Sequence, residues 1–339
     1  MGRHPVGCRP TRVRGLLNRC HASRIRDSLA AVIQRVLRGV TVVAVLGLWL
    51  AGCGADPTTA ATTGVPHHAV ALPSASGSPG ASGSPGREDC PLPQSGFDCD
   101  FQRRLAAAQA YASTRPGTVG IVVRDRQTGA VWRNDHAGDM TWTASTIKLA
   151  MVVDLLRRHR EHAITLSTHD RDQMAAMLHN SSDDAATSLW TKYGGADHMA
   201  FNRSFPRYGM TSLEPQRGYS KVFPYWGFQK CTADDLDRLI NYVLVEVPGA
   251  DRGFVLDHMR QVAANQQWGV WGAGPAAHPG NKDGWSDEDG GWVMNSVGFV
   301  GPGERYTLAI MNNLAGRGGY DEGRQTDTEI ARLIFAGRF

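Results

Sequence analysis

The sequence contains little lysine, few cysteines and only a short apolar run near its N-terminus. Five of its 36 basic residues are lysine, and six residues are cysteine. The apolar run, Val40 to Leu50, is only about half the roughly 20 residues that a helix needs to span a bilayer. A resident transmembrane helix is therefore not expected there.

Basic charge is also scarce over most of the chain. The formal net charge is +4, but residues 1–52 hold nine Arg and one Asp, which leaves 27 basic and 31 acidic residues in the rest. The rest is thus net negative, whereas nucleic-acid binding requires a basic surface. We therefore expect no nucleic-acid partner. With 42% hydrophobic residues, the chain has enough apolar side chains for a core.

The N-terminal region has the organisation of an export signal. An arginine-rich segment precedes the short apolar run, and small residues follow in Leu50-Ala51-Gly52-Cys53. That ending resembles the bacterial lipobox, which implies a signal over residues 1–52 and lipid attachment at Cys53. The alternatives are a plain secretory signal and a single-span anchor. A lipid anchor implies an exported, membrane-attached protein that faces the periplasm or cell wall.

A tether is predicted over residues 53–100, and a folded domain over residues 101–339. From Gly54 to Asp89 the chain is mostly Thr, Ala, Gly, Ser and Pro, a composition that cannot bury enough apolar surface to fold. The three cysteines beyond the tether's start, Cys90, Cys99 and Cys231, cannot all pair within one chain. In an exported protein we expect Cys90 to pair with Cys99, and pairing of Cys231 with either one is the alternative.

Three short motifs stand in order along the predicted domain. Ser145-x-x-Lys148 begins an apolar, helix-periodic run, so that both side chains share a helix face. Ser181-x-Asp183 stands at the start of a later helical pattern. Lys282-x-Gly284 lies on or beside a strand. A partly desolvated lysine can take the proton of a serine hydroxyl, and a helix N-terminus can stabilise an oxyanion.

The surrounding elements follow a recognisable order. The periodicity predicts a helix from Phe101 to Ser113, a hairpin through residues 120–133, and the Ser145 helix. Further helices follow around Met174 and Leu189. Two strands, residues 292–300 and 306–311, precede a C-terminal helix from about Thr326.

The three motifs in this context resemble those of the serine β-lactamase and penicillin-binding-protein superfamily, Ser-x-x-Lys, Ser-Asp-Asn and Lys-Thr-Gly. The resemblance covers residues 101–339. It implies an α/β (α+β) fold in which an antiparallel sheet flanked by helices lies beside an all-helical subdomain, about residues 143–261. Ser182-Asp183-Asp184 is a more literal match to the second motif, but the spacing to Gly194-Gly195 favours Ser181.

The resemblance also implies a role for each motif residue. Ser145 would attack a carbonyl with Lys148 as proton acceptor. Ser181 would pass a proton to the leaving group, and Lys282 would attract a carboxylate. The N–H groups of Ser145 and Trp285 would form the oxyanion hole, with Gly284 beside them. This chemistry needs no metal or organic cofactor.

Three departures from the family pattern concern substrate binding and deacylation. Asp183 replaces an asparagine, and an ionised aspartate can only accept hydrogen bonds. Asp283 replaces a hydroxyl residue and is expected to repel a substrate carboxylate. Glu214, before Pro215, is the candidate base for deacylation, although its spacing places it a few residues early and it could be an ordinary loop carboxylate.

The sequence thus predicts a serine hydrolase that forms an acyl-enzyme on Ser145 with an amide or ester in the cell envelope. The substrate would be a small molecule or derived from peptidoglycan. A penicillin-binding D,D-peptidase is one alternative. A non-catalytic envelope lipoprotein that uses the fold as a binding module is the other.

Overall fold

The computed structural model describes residues 90–218, 221–288 and 290–339. The predicted export signal, the lipidation site Cys53 and the tether up to residue 89 lie outside these residues. Among the residues described, no helix is both long and apolar enough to cross a membrane.

The folded part begins before Phe101. Cys90 and Cys99 form a disulfide, and Cys231 is a buried free thiol, as the cysteine positions predicted. Helix α1 spans Cys99–Ala112 and begins two residues earlier than predicted, because the Asp98 side chain accepts a hydrogen bond from the Phe101 N–H and caps it. Phe97 is buried and stacks on Phe101 at 4.8 Å. Residues 90–100 therefore belong to the folded domain, which corrects the predicted end of the tether.

A five-stranded antiparallel sheet joins the two ends of the described chain. The strands are β1 (Thr118–Asp125), β2 (Val131–Arg133), β6 (Gly280–Glu288), β7 (Gly291–Val300) and β8 (Tyr306–Asn313). Their order in the sheet is β2-β1-β8-β7-β6, so the N-terminal hairpin pairs with the C-terminal strands. The central strands are buried on both faces, because helices pack on each side.

Helix α1 and the C-terminal helix pack on one face of this sheet. Helix α8 spans Tyr320–Phe335 and begins six residues before the predicted Thr326. The sequence hides its first turns because Gly323, a poor helix former, lies within them. A Cβ at Gly323 would lie 2.2 Å from Cγ of Met294, so close packing against β7 requires glycine there.

The opposite face packs on a helical region. Its helices are α2 (Ile147–Arg160), α3 (Thr168–His179), α4 (Asp183–Tyr193), α5 (Ala200–Ser204), α6 (Ala233–Val245) and α7 (Gly249–Arg260). Capping boxes begin α3 and α6: Ser167 pairs with Asp170, and Thr232 with Asp235. The apolar faces of these helices form the larger of the two main cores.

The sequence predicted an all-helical region here, but the region also includes a second, three-stranded antiparallel sheet. This sheet has the order β3-β5-β4 and is formed by β3 (Thr141–Trp142), β4 (Glu214–Pro215) and β5 (Gln229–Cys231). Strands of two or three residues are too short to show the alternation that reveals a strand in a sequence. Strand β3 leads directly into the Ser145 turn.

Candidate active site

Ser145 lies in a strained turn at the start of α2. The turn, Ala144–Thr146, is a single 3₁₀ segment that continues into the helix. Ala144 has a φ of +43°, an uncommon conformation for a residue with a Cβ. Lys148, one turn further on, is fully buried, and its Nζ lies 2.8 Å from Ser145 Oγ. The structure thus brings together the serine and lysine of the first motif.

The Lys148 amine has three other close contacts with polar atoms. Its Nζ lies 2.6 Å from the Ser181 carbonyl oxygen, 3.3 Å from Ser181 Oγ and 2.6 Å from Asp183 Oδ1. Burial lowers the pKa of Lys148 below its ordinary value, and the Asp183 carboxylate opposes this change. The environment therefore favours a neutral amine, while Asp183 favours the ammonium.

The second motif enters the site through an unusual backbone conformation. Ser181 has a φ of +59° and immediately precedes the N-cap of α4. Ser182 is that N-cap, and its hydroxyl accepts the Ala185 N–H. Ser181 Oγ instead lies near both lysines, at 3.3 Å from Lys148 Nζ and 2.8 Å from Lys282 Nζ. The structure therefore brings Ser181, rather than Ser182, to the lysines.

Lys282 reaches the site from β6, the edge strand of the five-stranded sheet. Its Nζ donates to Ser181 Oγ and, at 2.6 Å, to the Asp283 carbonyl oxygen. The side chain is 1% exposed. Burial, together with the nearby charge of Lys148, lowers the pKa of Lys282 well below its ordinary value.

Gly284 allows β6 to contact the Ser145 turn. A Cβ at this position would lie 2.7 Å from the backbone nitrogens of both Ser145 and Thr146. The next residue, Trp285, lines the cavity beside Ser145, and its ring contacts Trp268 and Tyr320. Alternate N–H groups of an edge strand point away from the sheet. Participation of the Trp285 N–H in an oxyanion hole stays a prediction.

Asp283 is buried and does not line the cavity, so its position does not support the expected repulsion of a substrate carboxylate. Successive side chains of a strand point to opposite faces, so Asp283 points away from the side that Lys282 faces. Its carboxyl is buried and accepts a 2.6 Å hydrogen bond from Ser296 Oγ. Burial raises the pKa of Asp283 well above its ordinary value, and it does the same for Asp327.

Glu214 is also outside the cavity. It is solvent-exposed on β4, where it pairs with Lys230 of β5. The X-Pro step nearest the cavity is instead Phe223-Pro224, directly before the lining residues Tyr225 and Trp226. The position of Glu214 therefore does not support its proposed role as deacylation base, in line with the spacing from Gly209 that places it a few residues early.

Trp226 contacts the Lys148 amine and was not found by the sequence analysis. Its ring centroid lies 4.6 Å from Lys148 Nζ, and its indole N–H donates to Thr187 Oγ1 at 3.0 Å. It is 5% exposed. The aromatic run Tyr225-Trp226, between a proline and a glycine, was the signal available in the sequence.

These residues enclose a cavity of about 160 Å³ that opens over Ser145. Its walls come from the Ser145 turn, the start of α4, the loop before β5, and β6. The lining residues are Ala144, Ser145, Asp183, Tyr225, Trp226, Gly227, Trp285, Ser286 and Glu288. Within the described ranges, no group of three or more His, Cys, Asp or Glu side chains is placed to hold a metal ion.

Replacing Asp183 with asparagine should shift the pH dependence of Ser145 acylation to lower pH. The Asp183 carboxylate raises the pKa of Lys148, so its removal lowers that pKa further and leaves more neutral amine at a given pH. We expect a shift of up to about one pH unit, since the Asp183 side chain is 74% exposed and its effect is screened. The measurement is the rate of fluorophosphonate labelling between pH 5 and pH 10.

Asp184→Asn is the matched control, because Asp184 is an exposed neighbour on the same helix. Its profile should coincide with that of the unchanged protein. A shift of Asp183→Asn to higher pH, or no shift, would contradict an electrostatic link between Asp183 and Lys148.

Comparison with known proteins supports the fold. No family model matches the chain. A β-lactamase from Streptosporangium roseum superposes with a TM-score of 0.56 at 16% identity, and the match covers 68% of this chain and 97% of that one. For a β-lactamase from Burkholderia vietnamiensis the TM-score is 0.55 at 16% identity, with 70% and 96% covered. The chain has a β-lactamase-like fold. At this identity the similarity concerns the fold alone.

Curated relatives resemble the chain more closely in sequence. The provisionally named lipoprotein LppW of Mycobacterium tuberculosis is 28% identical over 238 residues, which cover 66% of this chain and 72% of the relative. LppW of Mycobacterium bovis gives the same values.

Proposed function

We propose that this protein is a serine hydrolase that forms an acyl-enzyme on Ser145 with an amide or ester substrate of the cell envelope. The contact between Ser145 Oγ and Lys148 Nζ, at 2.8 Å beside an open cavity, is the observation that carries the proposal. A buried lysine with a lowered pKa can act as a general base, and a serine needs such a base.

In the proposed acylation, the neutral Lys148 amine takes the Ser145 hydroxyl proton while Oγ bonds to the substrate carbonyl carbon. The bond from that carbon to the leaving nitrogen or oxygen then breaks. Ser181 Oγ, within reach of both lysines, donates its proton to the leaving group and receives the proton held by Lys148, which returns Lys148 to the neutral amine. Asp183 and Lys282 contact Lys148 and Ser181, and Gly284 allows β6 to approach the Ser145 turn. Trp285 would contribute its N–H to the oxyanion hole.

Hydrolysis of the acyl-enzyme should be slow. Among the described residues, Asp183 is the only carboxylate in contact with Lys148, and it forms an ion pair with it. Trp226 covers another side of the amine. Water would have to be activated by Lys148 itself after the leaving group has departed. We therefore propose that the adduct persists, as in a slow esterase or a penicillin-binding D,D-peptidase.

A non-catalytic binding module is the second candidate. The 2.6 Å contact between Asp183 and Lys148 favours it, because an ion pair stabilises the ammonium form, which cannot accept the serine proton.

Intact mass spectrometry separates the two candidates. The protein and its Ser145→Ala variant are incubated separately with a fluorophosphonate and with a penicillin. A mass increase of one reagent equivalent on the unchanged protein alone supports the hydrolase. Absence of an adduct with both reagents would leave the binding module.

We also propose that residues 1–52 are an export signal, that residues 53–89 form a tether and that Cys53 carries the lipid, which places the domain outside the cell membrane. The relative named as a lipoprotein supports this assignment. Labelled fatty acid should be incorporated into the protein in a bacterial host, and incorporation that persists in Cys53→Ser would refute it.

A further inference from the structure

The charged residues in the described lining of the cavity over Ser145 are acidic. The described lining includes two acidic residues, Asp183 and Glu288, and no Arg or Lys. The Asp183 side chain is 74% exposed beside the nucleophile. A substrate carboxylate bound close to Ser145 would therefore be repelled by Asp183.

The two lysines of the site are poorly placed to bind a carboxylate. Lys148 and Lys282 are 0% and 1% exposed. Lys282 donates to Ser181 Oγ and to the Asp283 carbonyl oxygen, so a carboxylate would have to displace these partners. The lowered pKa of Lys282 further weakens its attraction for an anion. The expectation that Lys282 attracts a carboxylate is therefore not supported by its surroundings.

The cavity is small and has an aromatic wall on one side. Tyr225 and Trp226 form this wall. Trp285 also borders the cavity, but by strand alternation its side chain points to the same side as Asp283, and its ring contacts Trp268 and Tyr320. The volume of about 160 Å³ is close to that of protein cavities that hold a benzene ring, about 150 Å³. The space therefore accommodates one small acyl group.

Strand β6 contributes an uncharged residue, Ser286, to the side of the cavity where a cation would be needed to pair with a substrate carboxylate. Ser286 lines the cavity, and by strand alternation it points to the same side as Lys282 and Gly284. Its hydroxyl oxygen is buried and has no hydrogen-bond partner among the described residues. A hydroxyl can bond to a carbonyl or ester oxygen, but it does not neutralise a carboxylate.

We propose that the site takes esters or amides with a small acyl group that is uncharged near the scissile bond, and that it discriminates against substrates with a carboxylate there. This inference rests on the proposed function of Ser145. The acyl group would lie between the wall formed by Tyr225 and Trp226 and strand β6, beside Ser286. Penicillins and peptides with a C-terminal carboxylate beside the reacting amide are then poor substrates.

A matched pair of esters tests the proposal on the full chain. One is 4-nitrophenyl butyrate, and the other is the mono-4-nitrophenyl ester of glutaric acid, which has a similar acyl length and adds a carboxylate. The second-order rate constant for acylation is taken from the release of 4-nitrophenolate. We expect the neutral ester to react about threefold to fivefold faster, because the exposed Asp183 carboxylate is partly screened by water. Equal rates, or a faster anionic ester, would overturn the proposal.

The second measurement is the ratio of the two ester rates after a positive charge is introduced on β6. Ser286→Arg should reduce the preference for the neutral ester severalfold, because the guanidinium can pair with the added carboxylate. The same substitution at Ser188, an exposed residue of α4 that does not line the cavity, should leave the preference unchanged. An unchanged ratio in a folded Ser286→Arg protein counts against this placement of the acyl group.

Labelling by a neutral fluorophosphonate separates failure of the proposed function from failure of the substrate inference. If Ser145 is not labelled, the proposed function fails. If Ser145 is labelled but the anionic ester reacts as fast as the neutral one, only the substrate inference fails.

Discussion

Replacing Lys148 with methionine should lower the rate of Ser145 acylation by about a hundredfold to ten-thousandfold, the usual contribution of a general base. The amine lies 2.8 Å from Ser145 Oγ, and burial lowers its pKa. Methionine has a similar length and no charge, so the buried position can accommodate it. The measurement is the rate of fluorophosphonate labelling, with thermal unfolding recorded in parallel.

Two further variants give this prediction its specificity. Lys148→Arg retains a cation that cannot be deprotonated, so it should be as slow as the methionine variant if Lys148 acts as a base. Lys230→Met changes a lysine that lies over the Trp142 ring and should label at the normal rate. A Lys148→Met protein that labels within about threefold of the unchanged protein would remove Lys148 from the mechanism.

Replacing Gly284 with alanine should both destabilise the domain and impair acylation. The added Cβ would lie 2.7 Å from the backbone nitrogens of Ser145 and Thr146 and 3.1 Å from the Thr143 carbonyl oxygen. These are backbone atoms, so β6 or the Ser145 turn must move. We expect a loss of about 1–3 kcal/mol in the free energy of unfolding. A shift of about 1 Å at a nucleophile can also reduce the rate about a hundredfold.

Gly253→Ala is the matched control, because Gly253 lies inside α7 and a Cβ there would meet nothing within 4 Å. Alanine is the better helix former, so this variant should be stabilised by up to about 1 kcal/mol. Denaturant unfolding and fluorophosphonate labelling of both proteins make the comparison. If Gly284→Ala retains normal stability and labelling, β6 does not contact the Ser145 turn as described.

The sequence was sufficient to predict the parts of the site that depend on local spacing. Ser145 and Lys148 are one helical turn apart, so helix geometry alone brings their side chains together. Ser181 could be chosen over Ser182 by counting to Gly194-Gly195, and the structure places the Ser181 hydroxyl within reach of both lysines. The resemblance also implied an antiparallel sheet flanked by helices, which the structure confirms, whereas the strand order and the second sheet were not predicted.

The positions of Asp283 and Glu214 do not support the roles predicted for them, because those roles depend on which way each side chain faces in the folded domain. Asp283 is adjacent to Lys282 in sequence, but strand alternation directs their side chains to opposite faces. Glu214 precedes a proline, as the family pattern requires, yet β4 holds it outside the cavity. Trp226 lies in the loop before β5, and its ring contacts Lys148. The path of a loop has no hydrophobic periodicity from which this contact could be predicted.

The sequence by itself determined the pairing of a serine with a lysine on one helix, because local helix geometry is enough for residues one turn apart. The β-lactamase-like fold was predicted through the resemblance of three ordered motifs to a known superfamily. The structure decided for Cys90–Cys99 among the cysteine pairings that the sequence left open. Only the tertiary structure decided which charges reach the cavity. Burial of Lys282, the inward orientation of Asp283 and the exposure of Asp183 arise from packing between distant segments, and that packing sets the electrostatics that a substrate meets.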